Sequence, residues 1–197
     1  MHISEGVLPG SVLLAGAVLT TAGTALGLKK LTPELIPRAA LLTAAAFVAS
    51  LIHIPLGPSS VHLIFNGFLG LLLGLATFPA FLVCLFLQAI LFQFGGLTTL
   101  GVNTLNLAFA GVLGGAVGRF LFRLGPKGVF LGGFLSGSLA VLLAGILVAI
   151  ELSLAGENFQ AAARLILVAH LPVALIEGVV LAFMCLYLQK TRPEIFT

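Results

Sequence analysis

The chain opens Met1-His2-Ile3-Ser4-Glu5-Gly6 and runs directly into the apolar stretch VLPGSVLLAGAVLTTAGTALGL at residues 7–28. A helix of about 20 apolar residues crosses the roughly 30 Å hydrocarbon core of a bilayer. The stretch reaches that length without a charged residue. It therefore predicts a membrane-spanning helix preceded by a short polar segment at the membrane surface.

The same apolar composition extends along the whole chain. Of the 197 residues, 60% are hydrophobic and 8% are charged, and Asp is absent. The mean hydropathy is +1.24. A soluble protein cannot cover its surface with so few charged side chains. We therefore expect an all-α integral membrane protein with a single transmembrane domain over residues 1–197.

Glycine, proline and charged residues divide the chain into apolar runs, two of which are short for a complete membrane crossing. Breaks of this kind occur at Lys29-Lys30, at residues 55–60 and at Gly95-Gly96. The runs predict about seven transmembrane helices, at residues 8–28, 38–54, 61–76, 78–94, 102–124, 128–154 and 160–189.

Basic residues indicate which side of the membrane each loop faces, because they accumulate in cytoplasmic loops. If the loop with Lys29 and Lys30 is inside, alternation through seven helices places eight of the nine basic residues inside and only Arg164 outside. We therefore expect a protein of the cell membrane with its N-terminus outside and its C-terminus in the cytoplasm. His62 and residues 95–101 then lie on the outer side.

The polar start can form a metal chelate. The α-amine of Met1, the backbone nitrogen of His2 and the His2 imidazole can close a five-membered and a six-membered ring on one divalent ion. The alternative is that His2 is a solvated terminal residue. Residues 1–28 contain Glu5 and no Lys or Arg. This is not typical of a cleaved signal peptide, so we expect the segment to be retained.

The other three histidines have different expected positions and roles. His62 is expected at the outer start of the third helix, with Asn66 one turn later on the same face. Polar side chains at membrane depth are costly and tend to be functional, which favours a ligand role for His62 over an interfacial one. His53 is expected to close the second helix for structural reasons. His170 is expected to bond a carbonyl freed by Pro172.

Three separated segments carry a more specific signal. They read MHISEG at residues 1–6, PSSVHLIFNGFLG at residues 58–70 and GGLTTLGVNT at residues 95–104. Together they resemble the CbiM/NikM family, the metal-capturing components of energy-coupling-factor (ECF) importers for cobalt and nickel. The resemblance runs from Met1 through the last helix. Cobalt-type members often have His before the Gly-Gly pair, where this chain has Phe94.

The resemblance implies a seven-helix fold whose N-terminal segment folds into an outward-facing metal pocket. It implies that the Met1 amine, the His2 backbone nitrogen, the His2 imidazole and the His62 imidazole hold Co(II) or Ni(II), with cobalt favoured. The ion is the cargo, and no permanent cofactor is expected. Further side chains are candidates for orienting these ligands, namely Ser60, Asn66, Thr98, Thr99 and Asn103.

The resemblance also implies a transport complex. Its other members would be a transmembrane coupling (T) subunit, cytoplasmic ATPase subunits and a small accessory membrane subunit, with membrane lipid around them and no nucleic acid. The chain carries no G-x-x-x-x-G-K-[ST] phosphate loop. ATP hydrolysis is therefore expected from the ATPase subunits, and this chain is not expected to be an enzyme.

Other functions stay open from the sequence. A nickel-specific importer subunit is the main alternative to a cobalt one. An intramembrane hydrolase would pair Ser136 or Ser138 with His170, but the expected depths of Ser136 and His170 differ by on the order of 10 Å. A structural membrane subunit fits the glycine content but gives no reason for His2 and His62 to share one side. The partner of the intramembrane carboxylate Glu177 is not apparent from the sequence.

Overall fold

The computed structural model describes residues 2–51, 53–56 and 59–195, without the side chains of residues 53–56 and 59–61. This part of the chain is helical except for one short antiparallel ladder, which the sequence did not predict. The ladder joins β1 (His53–Leu56) to β2 (Ser59–His62), with His53 opposite His62. The helices are α1 (Gly10–Leu28), α2 (Leu35–Ala49), α3 (Asn66–Leu73), α4 (Thr77–Phe92), α5 (Leu100–Phe122), α6 (Pro126–Leu154) and α7 (Gln160–Thr191).

Five segments within the described ranges are long and apolar enough to cross a membrane. They comprise α1, α5, α6, the segment Glu157–Thr191 and the segment Asn66–Phe92, which contains α3 and α4. Helix α2 is apolar but shorter, at 15 residues. Large apolar side chains stay exposed on the outer surface, such as Leu14 at 67% and Leu41 at 72%. Such a surface suits lipid, so the fold is that of a multi-pass membrane protein.

Helices α3 and α4 run in opposite directions along α5. The Asn66 amide at the start of α3 donates to the Leu107 carbonyl. Near the other end of α3, the Gly70 carbonyl accepts from Arg119, which lies close to the end of α5. Helix α3 is therefore parallel to α5. The chain reverses at Gly74, whose φ of 55° favours glycine, and α4 returns to the end of the bundle where α5 begins.

The predicted second and third spans extend too far into the loop between them. Helix α2 ends at Ala49 and α3 begins only at Asn66, because residues between them form the ladder. His62 therefore lies in β2, not at the start of the third helix, and it shares no helical turn with Asn66. Phe65, with φ of 54°, turns the chain from the strand into α3. The other predicted spans agree with the helices to within two residues.

Glycine lets the central helices approach closely. A Cβ atom on Gly70 of α3 would overlap the Gly111 carbonyl of α5. In α6, a Cβ on Gly137 would lie 2.9 Å from the Glu177 carbonyl oxygen of α7. Small residues at such positions allow backbones to pack where side chains would separate them. The close packing fixes the spacing of α3 against α5 and of α6 against α7.

Candidate metal site

The N-terminal segment is buried against the start of α5. His2 is 5% exposed and Ile3 is fully buried. The Ile3 N–H donates to Asn103 Oδ1 over 2.9 Å, and Asn103 Nδ2 donates to the Ile3 carbonyl over 3.1 Å. Asn103 thus satisfies both backbone groups of Ile3, as a neighbouring strand would. These two hydrogen bonds fix the position of the adjacent residue His2.

The loop before α5 provides a second anchor for the segment. The backbone N–H of Thr98 donates to Glu5 Oε1 over 3.1 Å. A Cβ on Gly96 would overlap the Glu5 side chain. At Gly95, where φ is +74°, a Cβ would come 2.9 Å from Asn103 Nδ2 and 3.4 Å from His2 Cβ. The two glycines therefore leave the room that the docked segment occupies.

Two imidazoles meet at this end of the bundle. The ring centroids of His2 and His62 are 5.0 Å apart, with 27° between the ring planes. His62, like His2, is 5% exposed. The Phe94 ring lies beside His2, with 6.1 Å between centroids. Phe94 thus contributes an apolar wall beside one of the two imidazoles.

The hydrogen bonds of the two rings favour one tautomer of each ring. His2 Nε2 lies 2.7 Å from Gln88 Oε1, and His62 Nδ1 lies 2.8 Å from the Leu63 carbonyl oxygen. Amide and carbonyl oxygens only accept hydrogen bonds, so both of these ring nitrogens donate. In the neutral imidazoles, the lone pairs are then on Nδ1 of His2 and Nε2 of His62. Nδ1 is the His2 nitrogen that closes a six-membered ring with the His2 backbone nitrogen.

Gln88 of α4 is the polar contact of His2 that the sequence analysis missed. It is 1% exposed, and its amide nitrogen Nε2 donates to Ser50 Oγ at the end of α2 and to Cys84 Sγ over 3.4 Å. These donations point Oε1 towards His2. A detectable signal existed, because Gln88 is a lone amide inside an otherwise apolar helix, where polar side chains are costly.

Glu177 of α7 holds the backbone that follows His62. Its carboxylate accepts hydrogen bonds from the N–H groups of Ile64 and Phe65, and it is fully buried. These bonds connect α7 to the turn between β2 and α3. Glu177 therefore fixes the backbone just after His62 without any described contact to the imidazole itself.

The remaining candidates from the sequence have different positions. Met1 and the side chain of Ser60 lie outside the described residues. Thr99 Oγ1 accepts from Asn103 Nδ2 over 3.2 Å, so it supports the residue that binds Ile3. Thr98 contributes its backbone N–H, as described above. The Asn66 amide donates to the carbonyls of Leu107 and Ala140 and joins helices, away from the two rings.

The described residues contain no group of three or more His, Cys, Asp or Glu side chains that could hold a metal ion. A site here would need backbone or terminal nitrogens in addition to the two imidazoles.

The hydrogen bonds of the candidate serines and histidine do not support the hydrolase alternative. Ser136 donates to the Gly67 carbonyl and Ser138 to the Ala174 carbonyl. His170 Nδ1 donates to the carbonyl of Ile166, four residues earlier in the same helix.

A family model described as CbiM, the cobalt uptake substrate-specific transmembrane region, matches residues 2–195. The chain belongs to the CbiM family. A relative from Haemophilus influenzae, named as a metal transport protein, is 44% identical, and the match covers 99% of this chain and 96% of the relative. A fused protein from Archaeoglobus fulgidus, named for nickel transport, is 29% identical, and the match covers 99% of this chain and 68% of that protein.

A crystal structure described as a transition metal transporter has the same fold. It is 27% identical, with a TM-score of 0.85 over 97% of this chain and 93% of the other. Together with the family match, this makes the protein a membrane component of cobalt or nickel transport. The buried N-terminal segment and the His2–His62 pair therefore belong to a metal transporter.

Proposed function

We propose that this CbiM protein is the metal-capturing component of an ATP-driven ECF importer and that it binds its cargo ion at the N-terminus, with cobalt favoured over nickel. The observation that carries the proposal is the contact between His2 and His62. Two buried imidazoles, far apart in the sequence, meet at 5.0 Å where the N-terminal segment is anchored. Neutral imidazole is a common ligand of such metals.

The proposed ligands are four nitrogens. The Met1 amine, the His2 backbone nitrogen and His2 Nδ1 form the chelate, and His62 Nε2 completes the plane. With metal–nitrogen bonds of about 2.0 Å, two imidazoles in adjacent positions of a planar site have ring centroids roughly 4.5 Å apart. The observed 5.0 Å separation supports this arrangement. The two ring hydrogen bonds also support this arrangement, because they leave the lone pairs on His2 Nδ1 and His62 Nε2.

We further propose seven membrane crossings, with the metal site facing outward and the C-terminus in the cytoplasm. The reversal between α3 and α4 supports counting them as two separate membrane segments. Arg38, Arg119 and Arg123 line one cleft, and the two α5 arginines place it at the end of α5 that lies away from His2. Basic residues favour the cytoplasmic side, which supports an outward-facing His2.

The proposed partners are a transmembrane coupling subunit, cytoplasmic ATPase subunits and a small accessory membrane subunit. The Archaeoglobus fulgidus relative supports association with a further membrane component, because it is a fused nickel transport protein longer than this chain. ATP hydrolysis by partner subunits would supply the work of import. The bound ion would then be released towards the cytoplasm.

The choice between cobalt and nickel depends on site geometry. Planar nitrogen ligation suits Ni(II) and Cu(II) and also holds low-spin Co(II), and intrinsic affinity alone would favour copper. Selectivity must therefore come from the shape of the pocket and from metal supply. The preference for cobalt rests on the family description and on the similarity of the His62 segment to cobalt-type members.

The test is elemental analysis of cobalt, nickel and copper bound to the purified protein. A C-terminally tagged chain with its native start is compared with one carrying two extra N-terminal residues, and with a control carrying the same two residues at the C-terminus. The N-terminal extension should abolish stoichiometric binding, because it removes the terminal amine from the chelate. The C-terminal addition should leave binding intact.

His2→Ala and His62→Ala variants identify the side-chain ligands in the same assay. Both should lose high-affinity binding while keeping the helical content and thermal stability of the folded protein. Equal metal in the native and N-terminally extended proteins would place the site elsewhere. Absence of metal from every form after loading would favour the structural-subunit alternative.

A further inference from the structure

A basic cleft lies at the end of the bundle opposite the two imidazoles. Its volume is about 680 Å³, and three arginines line it, Arg38 from α2 and Arg119 and Arg123 from the end of α5. The C-terminal turn closes one side through Pro193 and Ile195. No Asp or Glu is among the described residues that line the cleft. The cleft therefore has a strong positive potential and suits an anion.

One of the arginines is held in place by the protein backbone. Arg119 Nη1 donates to the carbonyls of Gly70 and Leu71, at 2.6 and 2.8 Å, where α3 ends. These bonds use one nitrogen of a guanidinium that carries five N–H donors. The carboxylate of Glu194, in the C-terminal turn, forms an exposed ion pair with Arg192 over 3.5 Å. The cleft thus presents an oriented guanidinium group, not only mobile surface charges.

An apolar groove continues from the basic cleft. It has a volume of about 370 Å³ and shares Arg38, Leu72 and Ile195 with the cleft. The rest of its lining is almost entirely apolar and comes from α2, α3 and α7, including Leu41, Phe68 and Met184. A ligand that occupies both spaces must therefore carry an anionic group and a hydrocarbon chain on the same molecule.

We propose that the cleft and the groove form a binding site for an anionic phospholipid. The phosphate accepts hydrogen bonds from the arginines, and an acyl chain follows the groove between α2 and α7. Arginine binds phosphate oxygens through charge-assisted, bidentate hydrogen bonds, and basic pockets between transmembrane helices recognise lipid head groups. The groove distinguishes this ligand from a free phosphate, which would leave it empty.

The site would connect elements that are distant in the sequence. The lipid would contact α2, the end of α3, the end of α5 and the C-terminal turn after α7 at once. Among these, α2 and α3 flank the ladder that ends in His62. Bound lipid would therefore stabilise α2 and α3, the helices on either side of the ladder that contains His62, at the end of the bundle opposite the metal.

The test uses the full chain in nanodiscs that contain phosphatidylglycerol and phosphatidylcholine, with co-purifying lipid counted by native mass spectrometry. Arg38→Gln and Arg123→Gln avoid the arginine that bonds to the α3 backbone. Each should reduce the retention of phosphatidylglycerol relative to phosphatidylcholine roughly fivefold. The matched controls Lys29→Gln and Lys127→Gln remove the same charge outside the cleft lining, and they should retain the lipid as the wild type does.

Two further probes separate lipid from free anion. Inorganic phosphate and glycerol phosphate should not displace phosphatidylglycerol at concentrations where a short-chain phosphatidylglycerol does. Displacement by phosphate alone would show an anion site without lipid specificity and would overturn the proposal. Equal losses in the arginine and lysine variants, or unchanged retention in both arginine variants, would overturn it as well. Metal binding by the arginine variants serves as the check that they are folded.

Discussion

Replacing Gln88 with Leu should weaken metal binding although Gln88 is not a proposed ligand. Gln88 Oε1 accepts the hydrogen bond from His2 Nε2 over 2.7 Å. This bond directs Nε2–H away from the metal position and leaves the lone pair on Nδ1. Leu has nearly the same volume but no acceptor, so the buried Nε2–H group would have no bond to residue 88, and the ring could rotate or change tautomer.

The size of the effect follows from the burial of the two residues. Gln88 is 1% exposed and His2 is 5% exposed, so water cannot easily replace the lost acceptor. A buried polar group left without its partner costs about 1–3 kcal/mol, and about 1.4 kcal/mol corresponds to a tenfold change in affinity. We therefore expect metal affinity to fall about tenfold to a hundredfold, the range typical of residues that orient ligating histidines.

Isothermal titration at constant pH, on C-terminally tagged protein, measures this affinity directly. The informative companion is Gln88→Glu, which keeps an acceptor facing His2 and should retain affinity much closer to that of the wild type. Gln160→Leu serves as the control, because it changes the same residue type at an exposed position at the start of α7, where the side chain bonds only to the Ser153 carbonyl among the described contacts. If Gln88→Leu binds metal as tightly as the wild type, the proposed orientation of the His2 ring is wrong.

Three other perturbations have defined outcomes. Metal affinity should rise from mildly acidic to mildly alkaline buffer, because the ion must displace protons from the amine, the backbone nitrogen and the imidazoles; a flat profile in competition titrations would contradict the nitrogen chelate. Asn103→Ala removes both hydrogen bonds to Ile3 and the one to Thr99, at about 0.5–1.5 kcal/mol each. Faster hydrogen exchange of the N-terminal segment and weaker metal binding should result, and unchanged exchange at Ile3 would show that the anchor lies elsewhere. Glu177→Gln replaces the carboxylate that accepts from Ile64 and Phe65 and should lower the free energy of unfolding by about 1–3 kcal/mol. The control Glu157→Gln, at an exposed position, should not change the melting temperature. Equal melting temperatures in the two variants would argue against a structural role for the buried carboxylate.

The sequence predicted the helices best where each is long, apolar and bounded by charged or turn-forming residues. The predicted bounds of α1 and α5 to α7 agree with the structure to within two residues. It failed at the short ladder, because four-residue strands rich in Pro, Ser and His do not produce a clear period in hydrophobicity. The predicted position of His62 in a helix was wrong for the same reason.

The residues of the candidate site were also predicted only in part. The sequence identified His2, His62, Thr99 and Asn103 from separate segments, and the structure brings them close together at one end of the bundle. It did not identify Gln88 as the partner of His2, since a lone amide in the apolar helix α4 marks the residue but not its partner, which lies 86 residues away in the chain. The carboxylate of Glu177 likewise required a partner, but only the structure shows that its partners are backbone N–H groups before α3.

The sequence by itself determined that this is a multi-helix membrane protein and where most of its helices begin and end. Both properties depend on the composition of contiguous segments, since a run of apolar residues favours the bilayer whatever its neighbours are. Only the tertiary structure decided that His2 and Ile3 are buried, that the two imidazoles meet and which acceptor each ring faces. Those properties depend on hydrogen bonds and packing between residues as far apart as Ile3 and Asn103, which no local pattern specifies.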